Sequence, residues 1–387
     1  SLSIRDLLAQ PTVAQLAPLM EPLKKSYPQG TQEGELPLTP IQRWFFKEHL
    51  VDQHHFNQAF RFRAAQRLSE EALHQALQDI LMHHDLLRSV YPEESGRIIQ
   101  RVEARMEVGL LVEDLRLGSG GEEYRIEQVA DEAQAGFNLA GGPLLKAILF
   151  KRAEGDELLL VIHHLVVDGV SWRILLEGLD YCYTRRLSGR PVQLPAKTAP
   201  FAMWAAELEE YARSERLLAE AAYWREITAQ PVSALPVSRP EGSNLSKDTA
   251  GVSFELDEAR TRQLTSGIHH AYYTEINDVL LAALSRALQA TFGGDSYAVT
   301  LEGHGREDIG GLDVSRTAGW FTSMFPHVLH YEEEVGLHLQ QSKESLRRIP
   351  KKGVGYGILR YMSEADPGED KAQVSFNDLG EFSEGEA

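Results

Sequence analysis

A chain of 387 residues is too long for one ordinary hydrophobic core and implies two or three domains. Its 39 Lys and Arg stand against 57 Asp and Glu, a formal charge of −18 that repels nucleic acid and anionic membranes, and its 43% hydrophobic content marks a globular chain. The single cysteine, Cys182, excludes an intramolecular disulfide framework or a cysteine-rich metal site, and with no apolar run near the length of a membrane span the expected setting is the reducing cytoplasm.

Residues 1–22 show two short amphipathic segments broken at Pro11-Thr12, with no basic lead into a hydrophobic signal segment. A polar stretch carrying Lys24, Lys25, Pro28, Gly30, Gly34 and Pro37 reads as a linker over 23–37, so a domain is expected to begin near Leu38. Phe56, Phe60 and Phe62 predict a strand. Ser69 caps a predicted helix with Leu73, Leu77, Ile80 and Leu81 on one side, and Glu70 and Glu71 suit its first turn. His83 and His84 at that helix's end are expected to be solvated or to complement its dipole. After the glycines of 118–121, a second helix runs through Tyr124, Ile126, Val129 and Ala133. Leu145, Ala147 and Leu149 then alternate as a strand beside the one that leads to His163.

Residues 161–172 read Val-Ile-His-His-Leu-Val-Val-Asp-Gly-Val-Ser-Trp. The apolar run Leu158 to Ile162 suits a strand covered on both faces, and the pattern becomes helical after Gly169 through Trp172, Leu175, Leu176 and Leu179. His163 and His164 thus fall at a strand-to-helix turn. Neighbours on an extended chain face opposite ways, so one imidazole packs and the other meets a cavity; His164 is the candidate for proton transfer near neutral pH. The plainer alternative is a satisfied pair of core histidines with Asp168 capping the next helix.

Prolines, a charged stretch from Trp204 to Trp224 and the polar Gly242-Ser243-Asn244 mark a junction between about Pro191 and Asp248. The alternation then repeats: a strand at Val252 to Leu256, then a helix capped by Thr274 with Ile276, Val279, Leu280, Ala283, Leu284 and Leu288 on one face. A Gly293-Gly294 stop and a strand from Tyr297 to Leu301 follow. Next comes Glu302-Gly303-His304-Gly305-Arg306-Glu307. A carboxylate at a strand end among alternating glycines can sit in a tight turn where burial raises its pKa; the alternative is a solvated surface turn. Gly353 to Gly357 alone is only a glycine-rich turn, lacking the strand and helix context of a phosphate-binding loop.

Taken together, Pro40-Ile41-Gln42-Arg43-Trp44-Phe45, the histidine string, Glu302 to Arg306, Arg316 to Pro326, Pro350 to Gly357 and Phe376-Asn377-Asp378-Leu379-Gly380 resemble the ordered motifs of epimerization domains of nonribosomal peptide synthetases, in the condensation-domain superfamily. The resemblance implies an α/β fold of two chloramphenicol-acetyltransferase-like lobes in a V-shaped pseudo-dimer, with lobes at 38–195 and 196–387, and a second lobe whose family members continue further. Residues 1–22 resemble the last helices of a peptidyl carrier domain. The implied reaction is inversion at the α-carbon of an aminoacyl or peptidyl thioester held on a carrier's phosphopantetheine, giving D-amino acid units for antibiotic biosynthesis. The chain itself needs no cofactor and no metal, and its expected partners are an upstream carrier domain and a downstream condensation domain.

Within that reading Glu302 and His164 are the catalytic pair, with Glu302 taking the α-proton and His164 serving as conjugate acid or enolate stabiliser. His163, Asp168, Gly169, Trp172, Arg306, Asn377 and Asp378 support them. Asp168 holds the motif through an ion pair for which the family supplies Arg306 as partner. The helix N-terminus after Gly169 and the Asn377 amide are further candidates for enolate stabilisation. Asp378 stands where the family commonly has tyrosine and leaves two alternatives, like-charge coupling to Glu302 or a carboxylate that points away, while Gly178 replaces a common acidic residue. The rival functions are a condensing enzyme, a noncatalytic carrier-docking module and a plain acetyltransferase.

Overall fold

The computed structural model describes residues 26–48, 51–116, 120–242, 245–378 and 380. The carrier-like segment at 1–22 lies outside the described residues. The first half comprises β1 (Gly34–Leu36), α1 (Pro40–Glu48), β2 (Asn57–Arg63), α2 (Glu70–His83), β3 (Gln100–Val102), β4 (Leu110–Asp114), α3 (Glu122–Ala135), β5 (Leu145–Lys151), β6 (Asp156–His163) and α4 (Gly169–Leu187). The second comprises α5 (Phe201–Tyr211), α6 (Glu215–Ala229), α7 (Ile276–Phe292), β7 (Ser296–Gly303), β8 (Ser323–His330), α8 (Val335–Arg347), α9 (Val354–Met362) and β9 (Val374–Phe376), with shorter turns between them.

One sheet anchors each half. The first has the order β2-β6-β5-β4, and the second β8-β7-β9. Strand β6 is central, pairing antiparallel with β2 and β5, and all eight of its residues are buried. That explains its unbroken apolar run, since a strand covered on both faces has no polar alternation to show. The packing continues through α2 against α4, where Gly178 allows the close approach: a Cβ there would lie 2.7 Å from Ile80 Cδ1. A carboxylate at position 178 would have to displace Ile80. The nearby acid is instead the exposed Glu177, which meets Arg316 at 3.1 Å.

Helix α1, although early in sequence, packs on α9 and β8 of the second half. Arg43 Nε donates to Leu38 O at 2.9 Å and its Nη1 to Tyr361 O at 3.2 Å, so one side chain spans the seam.

Several sequence expectations are corrected here. The expected 23–37 linker contains β1, which pairs antiparallel with β3, and Tyr27 Oη accepts from Asp313 N–H at 2.9 Å; its polar composition conceals these tethers to the folded body. Residues 252–256 form no strand, and Val252 and Phe254 are 97% and 86% exposed; alternation supplies the pattern, but no described strand edge pairs with it. Helix α7 is capped by Glu275 rather than Thr274, in a reciprocal capping box with Asp278. Its buried face is Asp278, Leu281, Ala282, Ser285 and Leu288, while Ala283 is exposed. Two polar residues on that face are satisfied by hydrogen bonds, Asp278 in the capping box and Ser285 Oγ donating to His330 O at 3.2 Å, so apolarity alone selects the wrong stripe. His84 is buried, not solvated: the chain turns at Asp85–Arg88, Leu86 and Leu87 enter the core, and burial pushes the His84 pKa down to about 3.

Candidate active site

The turn after β6 separates the two imidazoles as the extended-chain geometry requires. His163 is fully buried, with Nε2 3.0 Å from Gln53 O and Nδ1 accepting from Leu165 N–H at 3.2 Å. Burial pushes its pKa down to about 4, so it packs as a neutral ring. His164 is half-buried, stacked on Phe56 with centroids 5.3 Å apart and tilted against Trp320 at 4.5 Å. Its Nδ1 is 2.8 Å from Val167 O, and its Nε2 is 2.8 Å from Gln58 Nε2. Gln58 Oε1 in turn accepts from Trp172 Nε1 at 2.6 Å. Desolvation is the main cause of a lowered His164 pKa.

Asp168 both caps α4 and crosses the seam, so the two readings of that residue coexist. Its carboxylate accepts from Ser171 N–H at 2.7 Å, from Phe321 N–H at 3.1 Å and from Arg306 Nη2 at 3.0 Å. Arg306 also donates to Val314 O and Thr317 O at 2.9 and 2.7 Å, and lies 3.9 Å above the Phe321 ring. Burial lowers the Arg306 pKa and Asp168 opposes this, a balance that keeps a guanidinium charged. At the N-terminus of α4 the Asp168 side chain takes up one backbone donor, Ser171 N–H. A Cβ on Gly169 would meet nothing within 4 Å, so packing does not require glycine there.

Glu302 comes from the other half, near the end of β7. Residues 296, 298, 300 and 302 share the less buried face of this strand, while Tyr297, Val299 and Leu301 enter the core. Strand β9 runs parallel to β7, pairing Leu301 with Phe376, and so delivers Asn377 to the carboxylate; Asn377 Nδ2 donates to Glu302 Oε2 at 2.7 Å. The amide is thus engaged with Glu302. Burial raises the Glu302 pKa and is the sole cause of the shift. Asp378 is exposed and accepts from Gly380 N–H at 3.0 Å, which matches the alternative of a carboxylate that points away from Glu302.

The turn beyond Glu302 depends on Gly305, whose φ is +67° and whose Cβ would lie 1.6 Å from Phe321 O. Both left-handed backbone and lack of space oppose any side chain. Gly305→Ala is expected to cost more than about 2 kcal/mol, read as a lower urea midpoint.

A cavity of about 520 Å³ lies along the seam, walled by α1, α9 and the second sheet, including Ile41, Trp44, Thr300, Gly305 and Trp320. Trp320 is shared between this wall and the face of His164. Glu302 sits between Thr300 and Gly305, both of which contribute to the wall. Imidazole and carboxyl thus each stand beside residues of one cavity, without lining it themselves. Among the described residues no group of three acidic, histidine or cysteine side chains could hold a metal ion.

The Condensation domain family model matches residues 32–386. The chain belongs to the condensation-domain family. Surfactin synthase subunit 1 of Bacillus subtilis (strain 168) is 44% identical over 395 residues, which cover 99% of this chain and 11% of that protein. This condensation-domain chain therefore spans a small part of its curated relative. The crystal structure of the epimerization domain from the third module of tyrocidine synthetase B is 42% identical, with a TM-score of 0.88 over 93% of this chain and 82% of that one. The first condensation domain of the calcium-dependent antibiotic synthetase, at 20% identity and a TM-score of 0.68, shares the fold. The two halves are the chloramphenicol-acetyltransferase-like lobes of this α/β family.

The sequence does not single out Gln58 and offers Phe56 only as a strand residue. The hint for Gln58 was the polar pair Asn57-Gln58 leading into a strand, together with a buried indole at Trp172 that needs an acceptor. Ser171 appeared as part of a motif, but its role is positional: its Oγ accepts from Gly319 N–H and from Arg306 Nη2, both at 3.0 Å.

Proposed function

We propose that the chain inverts the α-carbon of an aminoacyl or peptidyl thioester presented on the phosphopantetheine arm of a carrier domain. The observation that carries this reading is a half-buried carboxyl, Glu302, held by Asn377 in one lobe beside the same cavity as His164 in the other. The 42% identity to an epimerization domain supports it. Glu302 takes the α-proton from the L-substrate and His164 protonates the opposite face; the roles exchange in reverse. An imidazolium at His164 is the candidate for charge stabilisation of the enolate, beside the N-terminus of α4 and the second N–H of Asn377.

Burial shifts the two groups toward each other, lowering His164 and raising Glu302. Closer proton affinities suit a reaction that must run both ways. A pH dependence follows. Loss of the α-proton requires ionised Glu302, so exchange with solvent rises as pH passes a value above the ordinary carboxyl range. Inversion also requires protonated His164, and falls as pH rises through a value below the ordinary histidine range. The ratio of inversion to exchange is therefore expected to fall with rising pH.

The test uses loaded carrier protein in deuterated water, with mass spectrometry for exchange and chiral analysis of the hydrolysed product. Deuterium incorporation with inversion, and no acceptor present, supports the reading. Peptide-bond formation with an added acceptor but no exchange would identify a condensing enzyme, and carrier binding without either would identify a docking module.

A further inference from the structure

We propose that Gln58 is a positioning residue that, with Trp172, holds His164 as the neutral Nδ1–H tautomer and makes its protonated form a readier proton donor. The argument needs only donor and acceptor chemistry. An indole N–H can only donate, so the Gln58 atom 2.6 Å from Trp172 Nε1 is the amide oxygen. The other end of that amide is then an NH2 group, which can only donate, and it lies 2.8 Å from His164 Nε2. Nε2 must accept. At the opposite edge of the ring, the Val167 carbonyl can only accept, so Nδ1, 2.8 Å away, carries the hydrogen. A donor-only group at one end of the chain and an acceptor-only group at the other leave a single arrangement of protons for the neutral ring.

Protonation at Nε2 sets two donors against each other. The amide cannot relieve this by flipping, because its NH2 would then face the indole N–H. The imidazolium is consequently short of a partner and gives up its proton more readily, to substrate or solvent. Other groups around the ring do not override this. Phe56 and Trp320 on its faces do not titrate; Asp168 favours the charged form but is paired with Arg306, and the neighbouring His163 is buried and neutral.

The tautomer assignment stands on geometry alone, while the consequence for turnover rests on the proposed function. Nitrogen NMR of the 387-residue chain labelled at histidine separates them. Wild type is expected to show a pyrrole-type Nδ1 and a pyridine-type Nε2 for His164, with protonation only below the ordinary value of about 6.5. Gln58→Glu replaces the donor by a carboxylate that accepts from both Trp172 and a protonated Nε2, and should raise the His164 midpoint by about one pH unit or more. Trp172→Phe frees the amide to flip and should shift the midpoint the same way by less, which serves if the buried carboxylate prevents folding. In active variants the high-pH limb of inversion should move up by the same amount, while the Glu302-dependent onset of exchange stays in place. An Nε2–H tautomer in wild type, or an unmoved His164 midpoint in folded variants, would overturn the proposal. A shifted midpoint with an unshifted inversion profile supports the tautomer lock and removes His164 from the reaction.

Discussion

Glu302→Gln is expected to abolish deuterium exchange at the α-carbon while leaving the protein folded. An amide keeps the shape and still meets Asn377, which can donate to the amide oxygen as it does to Oε2 at 2.7 Å. It cannot take a proton. Loss of a positioned general base costs on the order of 10² to 10⁴ in rate, and exchange reads that step even when inversion is blocked elsewhere. Stability should move the other way. Burial raises the Glu302 pKa, so the folded state favours the protonated form. The stabilising effect is complete below the unfolded-state value and is lost as pH rises through the folded-state value. Near neutral pH the ionised carboxylate is therefore a net cost, and the glutamine variant should melt at or above the wild-type temperature, the two curves converging in acid. Wild-type exchange by Glu302→Gln would remove the proposed base; a variant that melts well below wild type would mean the residue is structural.

Asp168→Ala is expected to lose folded protein before it loses chemistry. The substitution strands Arg306, whose side chain is only 7% exposed, and removing one partner of a buried pair costs roughly 3–5 kcal/mol. It also uncaps α4 by removing the acceptor for Ser171 N–H, and it releases Phe321 N–H. The carboxylate is thus a joint between lobes as well as a cap. Equilibrium urea denaturation should show the loss, and the double variant Asp168→Ala, Arg306→Ala should recover part of it because no charge is then left alone. A soluble Asp168→Ala that melts normally but is inactive would contradict this assignment and place Asp168 in the reaction itself.

Strong periodicity made the central elements legible in the sequence. Leu158 to Ile162 announced a doubly covered strand, and Ser69 with Glu70 and Glu71 announced α2, because burial on both faces and capping are local properties of sequence. The misreadings arose where a local pattern depends on a distant partner. Val252 to Leu256 alternates correctly but has no described strand beside it. Asp278 and Ser285 are polar yet buried, because the capping box and the His330 carbonyl satisfy them. At the candidate site, His164 and Glu302 were readable as residue types at strand ends. The partners that set their protonation were not: Gln58 reaches His164 across 106 residues and Asn377 reaches Glu302 across 75, separations that no spacing rule covers. Asp378, adjacent to Asn377, points into its own turn, a choice made by backbone direction.

Strand β9 holds to β7 through only three residue pairs, at Val299, Thr300 and Leu301. So short a ladder can open locally at far lower free energy than the whole domain unfolds. When it opens, Asn377 departs and water reaches Glu302, relaxing the carboxyl toward its solution acidity. Proton affinity at this site is thereby a gauge of strand docking, and amide hydrogen exchange at Ser375 should track the same opening.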